Sequence, residues 1–167
     1  SNFKKVLADY PWYSWSEQIL FPWRLYRYHL DLVHFCHFNV PIFYWKKYVV
    51  TIHDLILFHY PTVRNTTLNR FLYFFKLAGY FLVIGRAVRK SSAILAVSDF
   101  TRQDILKNFS QARGKVFVAK EGFHFPPPGN FKNLEKYAIV KPYILYVGNA
   151  YPHKNLDFLC EAFQSVR

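Results

Sequence analysis

The sequence predicts an α/β protein, a Rossmann-like parallel sheet with flanking helices. Short runs rich in β-branched residues, such as "YVVTI", "AILAV" and "KVFVAK", recur between segments of helical period. These runs are continuously apolar rather than alternating, which predicts strands covered on both faces, as parallel sheets are. At 167 residues and 52% hydrophobic, the chain can build one ordinary core and little more.

In chain order, "KVLADY" reads as a strand. "SEQILFPWRLYRYH" reads as a helix that Pro22 bends or breaks. "DLVHF" and "YVVTIHD" are strands, and 67–90 is one long helix. "AILAV" is a strand, "DFTRQDILKNF" a helix with Ile105, Leu106 and Phe109 on its apolar side, and "KVFVAK" a strand. The pattern then breaks. "EGFHFPPPGNFKNLEKYAIVKP" holds three consecutive prolines and no period, so 121–142 is a linker between a first domain, 1–120, and the start of a second, 143–167. In the second, Tyr143 to Val147 predicts a fresh strand. Leu156, Leu159, Cys160, Phe163 and Val166 share one helix face. One strand and one helix cannot make a core. With no methionine even at position 1, the chain reads as an interior piece of a longer one.

Charge narrows the partners. Lys and Arg total 22 against 10 acidic residues, giving +12, which favours anionic partners. The basic residues are scattered and match no nucleic-acid-binding signature, so nucleic acid is not expected. "VRNTTLNR" and "GRAVRK" flank an apolar helix, a pattern that suits peripheral contact with an anionic membrane. The most apolar run, Phe71 to Gly85, would span about 22 Å as a helix, too short to cross a bilayer. It is either a buried helix or one lying at an interface. The aromatic share of 21% reflects either genome composition or a greasy partner. Cys36 and Cys160 lie far apart and form no framework, which points to a reducing, cytoplasmic location, at the inner face of the membrane if the helix docks there.

Four places carry chemistry. His53 and Asp54 follow the strand "YVVTI", where open parallel sheets bind ligands; they contact substrate, or else Asp54 caps the next turn and His53 bonds backbone. Ser98, between a strand and a helix, is an N-cap, alone or also facing an anionic ligand. In "GNAYPHKN", Gly148 permits close backbone approach and Lys154 offers a cation at a helix start, with Asn155 as its cap and Asp157 in its first turn. The site would suit a diphosphate, although Lys154 also fits a plain surface position. The loop lacks the glycines of a P-loop or dinucleotide fingerprint. In "HFCHFNVP", His37 and Asn39 sit at another strand end, where imidazoles bond sugar hydroxyls and Phe35 or Phe38 stacks on a sugar face. His34, Cys36, His37, His53 and His59 match no zinc spacing, so no metal is expected.

Six stretches, "PWYSWSEQILFP", "DLVHFCHFNVP", "VVTIHDLI", "AVSDFTRQDILKNF", "KVFVAKEG" and "YILYVGNAYPHKNLDFLCEAF", together resemble the family 4 (group 1) retaining glycosyltransferases, in family order and over nearly the whole chain. The resemblance implies the GT-B fold of two Rossmann-like domains. It implies transfer of a hexose from a nucleotide-diphosphate sugar to the hydroxyl of a saccharide or lipid-linked acceptor in cell-surface polysaccharide or glycolipid synthesis. No cofactor is implied, the sugar nucleotide being a substrate. "TIHD" matches the stretch whose histidine reaches the transferred sugar, so the role falls to His53. "AVSDFT" makes Ser98 ligand-facing. "GNAYPHKN" matches the diphosphate loop, keeping Lys154 and placing Asn149 where arginine is common. The usual amino-terminal glycine-rich loop and the downstream glutamate pair are not in this sequence. As given, the chain is therefore expected to be inactive. The competing reading is a non-catalytic Rossmann-like binding module associated with an anionic membrane.

Overall fold

The computed structural model describes residues 2–61, 69–123, 125 and 143–165. The fold divides into two compact units, Ser1–Glu121 and Gly122–Arg167, each described by itself below.

The first unit runs α1 (Trp15–Arg27), β1 (Val33–Phe35), β2 (Tyr48–Ile52), α2 (Ile56–His59), α3 (Arg70–Lys90), β3 (Ala93–Ala96), α4 (Asp99–Asn108), a 3₁₀ turn (Ser110–Ala112) and β4 (Val116–Val118). All strand pairs are parallel, in the order β1-β2-β3-β4. This is the expected Rossmann-like α/β fold.

Sequential order has a geometric consequence. Each strand pairs with the next, and right-handed crossovers then place every connection on the same side of the sheet. The buried row Phe35, Val50, Ile94 and Val116 runs in register across all four strands on that side. Tyr80, Ile84, Ala87 and Val88 of α3, Ile105 of α4 and Tyr44 of the β1–β2 connection complete the core. Phe21, Leu25 and Tyr26 of α1 pack against it. The other face carries His34, Val49, Thr51, Leu95 and Phe117, none of them buried, with Phe117 56% exposed. The expectation of strands covered on both faces is thus corrected. Apolar composition alone cannot tell a strand buried twice from one buried once.

Local chemistry explains the helix ends. Ser14 Oγ accepts from the Glu17 amide, while Glu17 Oε2 accepts from the Tyr13 amide, a capping box displaced by one residue. α1 runs on through Pro22, which faces inward, so the proline does not end the helix. Asn69 Oδ1 caps α3 through the Leu72 amide. At its far end Lys115 Nζ donates to the carbonyls of Arg89 and Ser91 at 3.0 and 2.9 Å. Burial pulls the Lys115 ammonium below its ordinary value. With 21 residues α3 is long enough to cross a bilayer by length and composition. The length limit drawn from Phe71 to Gly85 therefore fails. What engages α3 is the sheet, which buries one of its faces.

"KVLADY" forms no strand. Residues 4–9 are exposed, and among the described residues no neighbouring strand pairs with them. In the second unit, Tyr143 to Val147 likewise form no strand, with Leu145 and Val147 largely exposed. A strand exists only as part of a ladder, and no partner lies among the described residues. A 3₁₀ turn (Pro152–Lys154) and α5 (Leu156–Ser165) follow. Most of the expected 121–142 linker, and Val166, lie outside the described residues.

Candidate functional site

The carboxyl ends of four parallel strands bring sequence-distant residues to one edge. β1 ends into Cys36, His37 and Asn39; β2 into His53 and Asp54; β3 into Ser98; β4 into Glu121. The His37 and His53 rings lie 6.2 Å apart between centroids.

His53 is held from both ring nitrogens. Nε2 stands 2.9 Å from the Cys36 carbonyl oxygen, so that nitrogen carries a proton and donates. Nδ1 faces Glu121 Oε1 at 3.0 Å. Its own carbonyl accepts from Thr101 Oγ1 at 3.0 Å. The ring is half-exposed, fixed in orientation, and open on its remaining surface to a ligand.

His37 is set differently. Its Nδ1 accepts from the Asn39 amide at 3.3 Å, which leaves Nε2 as the donor of a neutral ring. Desolvation, then the neighbouring His53, lowers its pKa below 6.5, with Asp54 and Glu17 opposing. The ring also leans on Phe38, 4.1 Å away. The Asn39 amide nitrogen donates to Glu17 Oε2 at 2.9 Å. That bond turns the amide oxygen the other way, where Oδ1 is buried and finds no partner among the described residues. It is a buried acceptor left unsatisfied, which costs free energy at this strand end.

Asp54 Oδ1 accepts from the Ile56 amide, the local capping role open to it. Ser98 is the N-cap of α4: its Oγ accepts from the Thr101 amide at 3.1 Å and lies 3.0 Å from Thr101 Oγ1. Thr101, buried, therefore ties the start of α4 to the His53 backbone. Glu121, Thr101 and Glu17 were not singled out by the sequence, because each acts through a partner far along the chain. Their one legible trace is position: Glu121 follows a strand, and Thr101 and Glu17 sit three residues after helix-capping serines.

Two further histidines, His34 and His59, have structural partners. His34 Nε2 meets Thr51 Oγ1 at 2.8 Å across β1 and β2, and His59 Nε2 pairs with Asp104 at 2.8 Å. Among the described residues no group of three or more His, Cys, Asp or Glu could hold a metal.

In the second unit, Gly148 has φ +149, and a Cβ there would stand 2.9 Å from Tyr146 Oη. Only glycine fits. Tyr146 Oη donates to the Asn149 carbonyl at 2.9 Å, closing the loop on itself. Lys154 ends the 3₁₀ turn, exposed, two residues before α5. Asn155 adopts a left-handed backbone, φ +52, and its carbonyl accepts from the Leu159 amide. Asp157 occupies the first turn of α5, as expected. His37, Asn39, His53, Asp54 and Ser98 thus share one edge of the first unit, whereas Gly148, Asn149 and Lys154 share a loop of the second.

No family model matches the chain, and no solved structure matches it. Among curated proteins, the O-antigen chain mannosyltransferase B of Escherichia coli is 27% identical over 148 residues. The match takes in 85% of this chain but 36% of that protein, so the chain spans little over a third of the relative's length.

Proposed function

We propose that these residues are part of a retaining glycosyltransferase of the GT-B type, which moves a hexose from a nucleotide-diphosphate sugar to a hydroxyl acceptor in cell-surface polysaccharide or glycolipid synthesis in the cytoplasm. The observation that carries the reading is the cluster at the strand ends: an oriented imidazole at His53, a neutral imidazole at His37 and a buried, unpartnered Asn39 oxygen. The His37 Nε2 donor, which has no hydrogen-bond partner among the described residues, suits a sugar hydroxyl, and the half-exposed His53 ring lies beside it. Similarity to a mannosyltransferase supports it and makes mannose the first hexose to try.

In this reading residues 1–120 belong to the acceptor-side domain, 121–142 to the hinge and 143–167 to the start of the donor domain. Gly148, Asn149 and Lys154 hold the donor diphosphate, Lys154 by charge. His53 and Asn39 hold the transferred hexose, and Ser98 with the amino end of α4 offers further donors to an anionic group. The bond from the anomeric carbon to the diphosphate oxygen breaks while the acceptor oxygen bonds the same face of that carbon. The acceptor proton passes to the departing diphosphate. Charge growing on the leaving group is stabilised by fixed cations and amides, and no resident cofactor or metal takes part. The chain alone, holding one loop of the donor domain, does not turn over.

The test uses the full-length gene product and a panel of nucleotide-diphosphate hexoses. Lys154→Ala should weaken donor binding about tenfold or more, the scale of one charge-assisted contact. His53→Ala should lower kcat while leaving diphosphate affinity nearly unchanged. Wild-type turnover in both variants would overturn the assignment.

A further inference from the structure

Helix α3 has two apolar faces, and the sheet uses one. Tyr80, Ile84, Ala87 and Val88 are buried in the core. At 100° per residue, the opposite side carries Phe71, Phe75 and Leu82, then Arg86 and Arg89, in one stripe about 27 Å long. Phe71, Phe75 and Leu82 are 70%, 58% and 59% exposed. The two phenylalanine rings meet edge to face, 4.9 Å apart. A contiguous exposed apolar stripe of this kind marks a contact surface.

The basic end of the stripe opens into a groove of about 610 Å³, whose lining includes Phe43, Trp45, Leu82, Arg86 and Arg89 and, among the described residues, no acidic one. The Arg86 guanidinium lies 4.2 Å over the Trp45 ring. The stretch that carries α3 is one-sided in charge: from Leu55 to Ser98 the sequence holds six Lys or Arg and no Asp or Glu.

We propose that this face docks flat on an anionic phospholipid bilayer, with Phe71, Phe75 and Leu82 entering the boundary between headgroups and acyl chains. Arg86 and Arg89 meet lipid phosphates, and Trp45 sits at headgroup depth, where an amphipathic ring is favoured. Charge selects this occupant. A second copy would bring another +12 chain against the same arginines, whereas an anionic surface is attracted by them. The helix does not cross the bilayer, because its inner face is part of the core. The inference stands apart from the sugar-transfer reading.

The test is co-sedimentation of the 167-residue chain with phosphatidylcholine vesicles and with vesicles containing about 30% phosphatidylglycerol, at low and high salt. The anionic vesicles should bind about tenfold better, and high salt should erase most of that gain. A Phe75→Ser, Leu82→Ser variant with unchanged far-UV circular dichroism should lose about tenfold in binding to them. Arg89→Glu should lose affinity for anionic vesicles alone. Quenching of tryptophan fluorescence by brominated lipid should fall sharply in Trp45→Phe. Unchanged binding by the serine variant overturns the proposal. Should that variant fail to fold, unchanged binding by Arg89→Glu overturns it instead. A dimer in light scattering that the serine variant abolishes, with no vesicle binding, assigns the face to a second copy and equally overturns it.

Discussion

At the level of single residues, His53 shows how a half-exposed side chain is fixed in one orientation. The Cys36 carbonyl fixes one ring nitrogen, Glu121 meets the other, and Thr101 holds the backbone. Glu121→Ala in the full-length protein should therefore lower kcat without altering donor affinity, by freeing the ring; Glu121→Gln, whose amide can still hydrogen-bond Nδ1, should recover part of the loss. Ser98→Ala removes the cap of α4 and should cost about 1 kcal/mol in urea unfolding. His37 gives a pH dependence. Its folded-state pKa lies below its unfolded one because desolvation disfavours the charged ring. As pH falls, the unfolded chain takes up the proton first, so stability declines on acidification through the ordinary imidazole range. His37→Gln should flatten that slope in thermal melts. The sequence made His53, Ser98 and Asn39 visible because each follows an apolar run at a strand end. It could not show Glu121 or Thr101, whose meaning lies in contacts between distant segments.

At the level of elements, the order of strands decides which surfaces are buried. Four sequential parallel strands put all their crossovers on one side, so α3 and α4 share a core with Tyr44 and Tyr48. Burial pushes the Tyr48 hydroxyl up to about 12, consistent with its place beneath α3. Ile84→Ala, at the centre of that contact, should cost about 2–5 kcal/mol through the cavity it leaves. A loss under about 0.5 kcal/mol in equilibrium unfolding, the scale of a surface change, would show that α3 is not the main cover of the sheet. Helices and inner strands were legible as periodicity and β-branched runs. "KVLADY" and Tyr143 to Val147 were not, because strand formation depends on a partner, and none pairs with them among the described residues. Pro22 misled in the other direction: helix α1 keeps it on the buried face and continues.

At the level of the molecule, the sheet has one buried face and one half-open, and a doubly wound fold carries a second layer of helices on such a face. The curated relative is nearly three times as long as the matched region. Both facts accord with the proposal that these residues belong to a larger glycosyltransferase. The most direct test is transfer by the full-length gene product, supplied with nucleotide-diphosphate hexoses and a hydroxyl acceptor, with the product's anomeric configuration read by NMR. The account predicts one accepted donor, retention of its anomeric configuration, and loss of transfer in His53→Ala. An inverted product, or transfer undiminished in that variant, would contradict it.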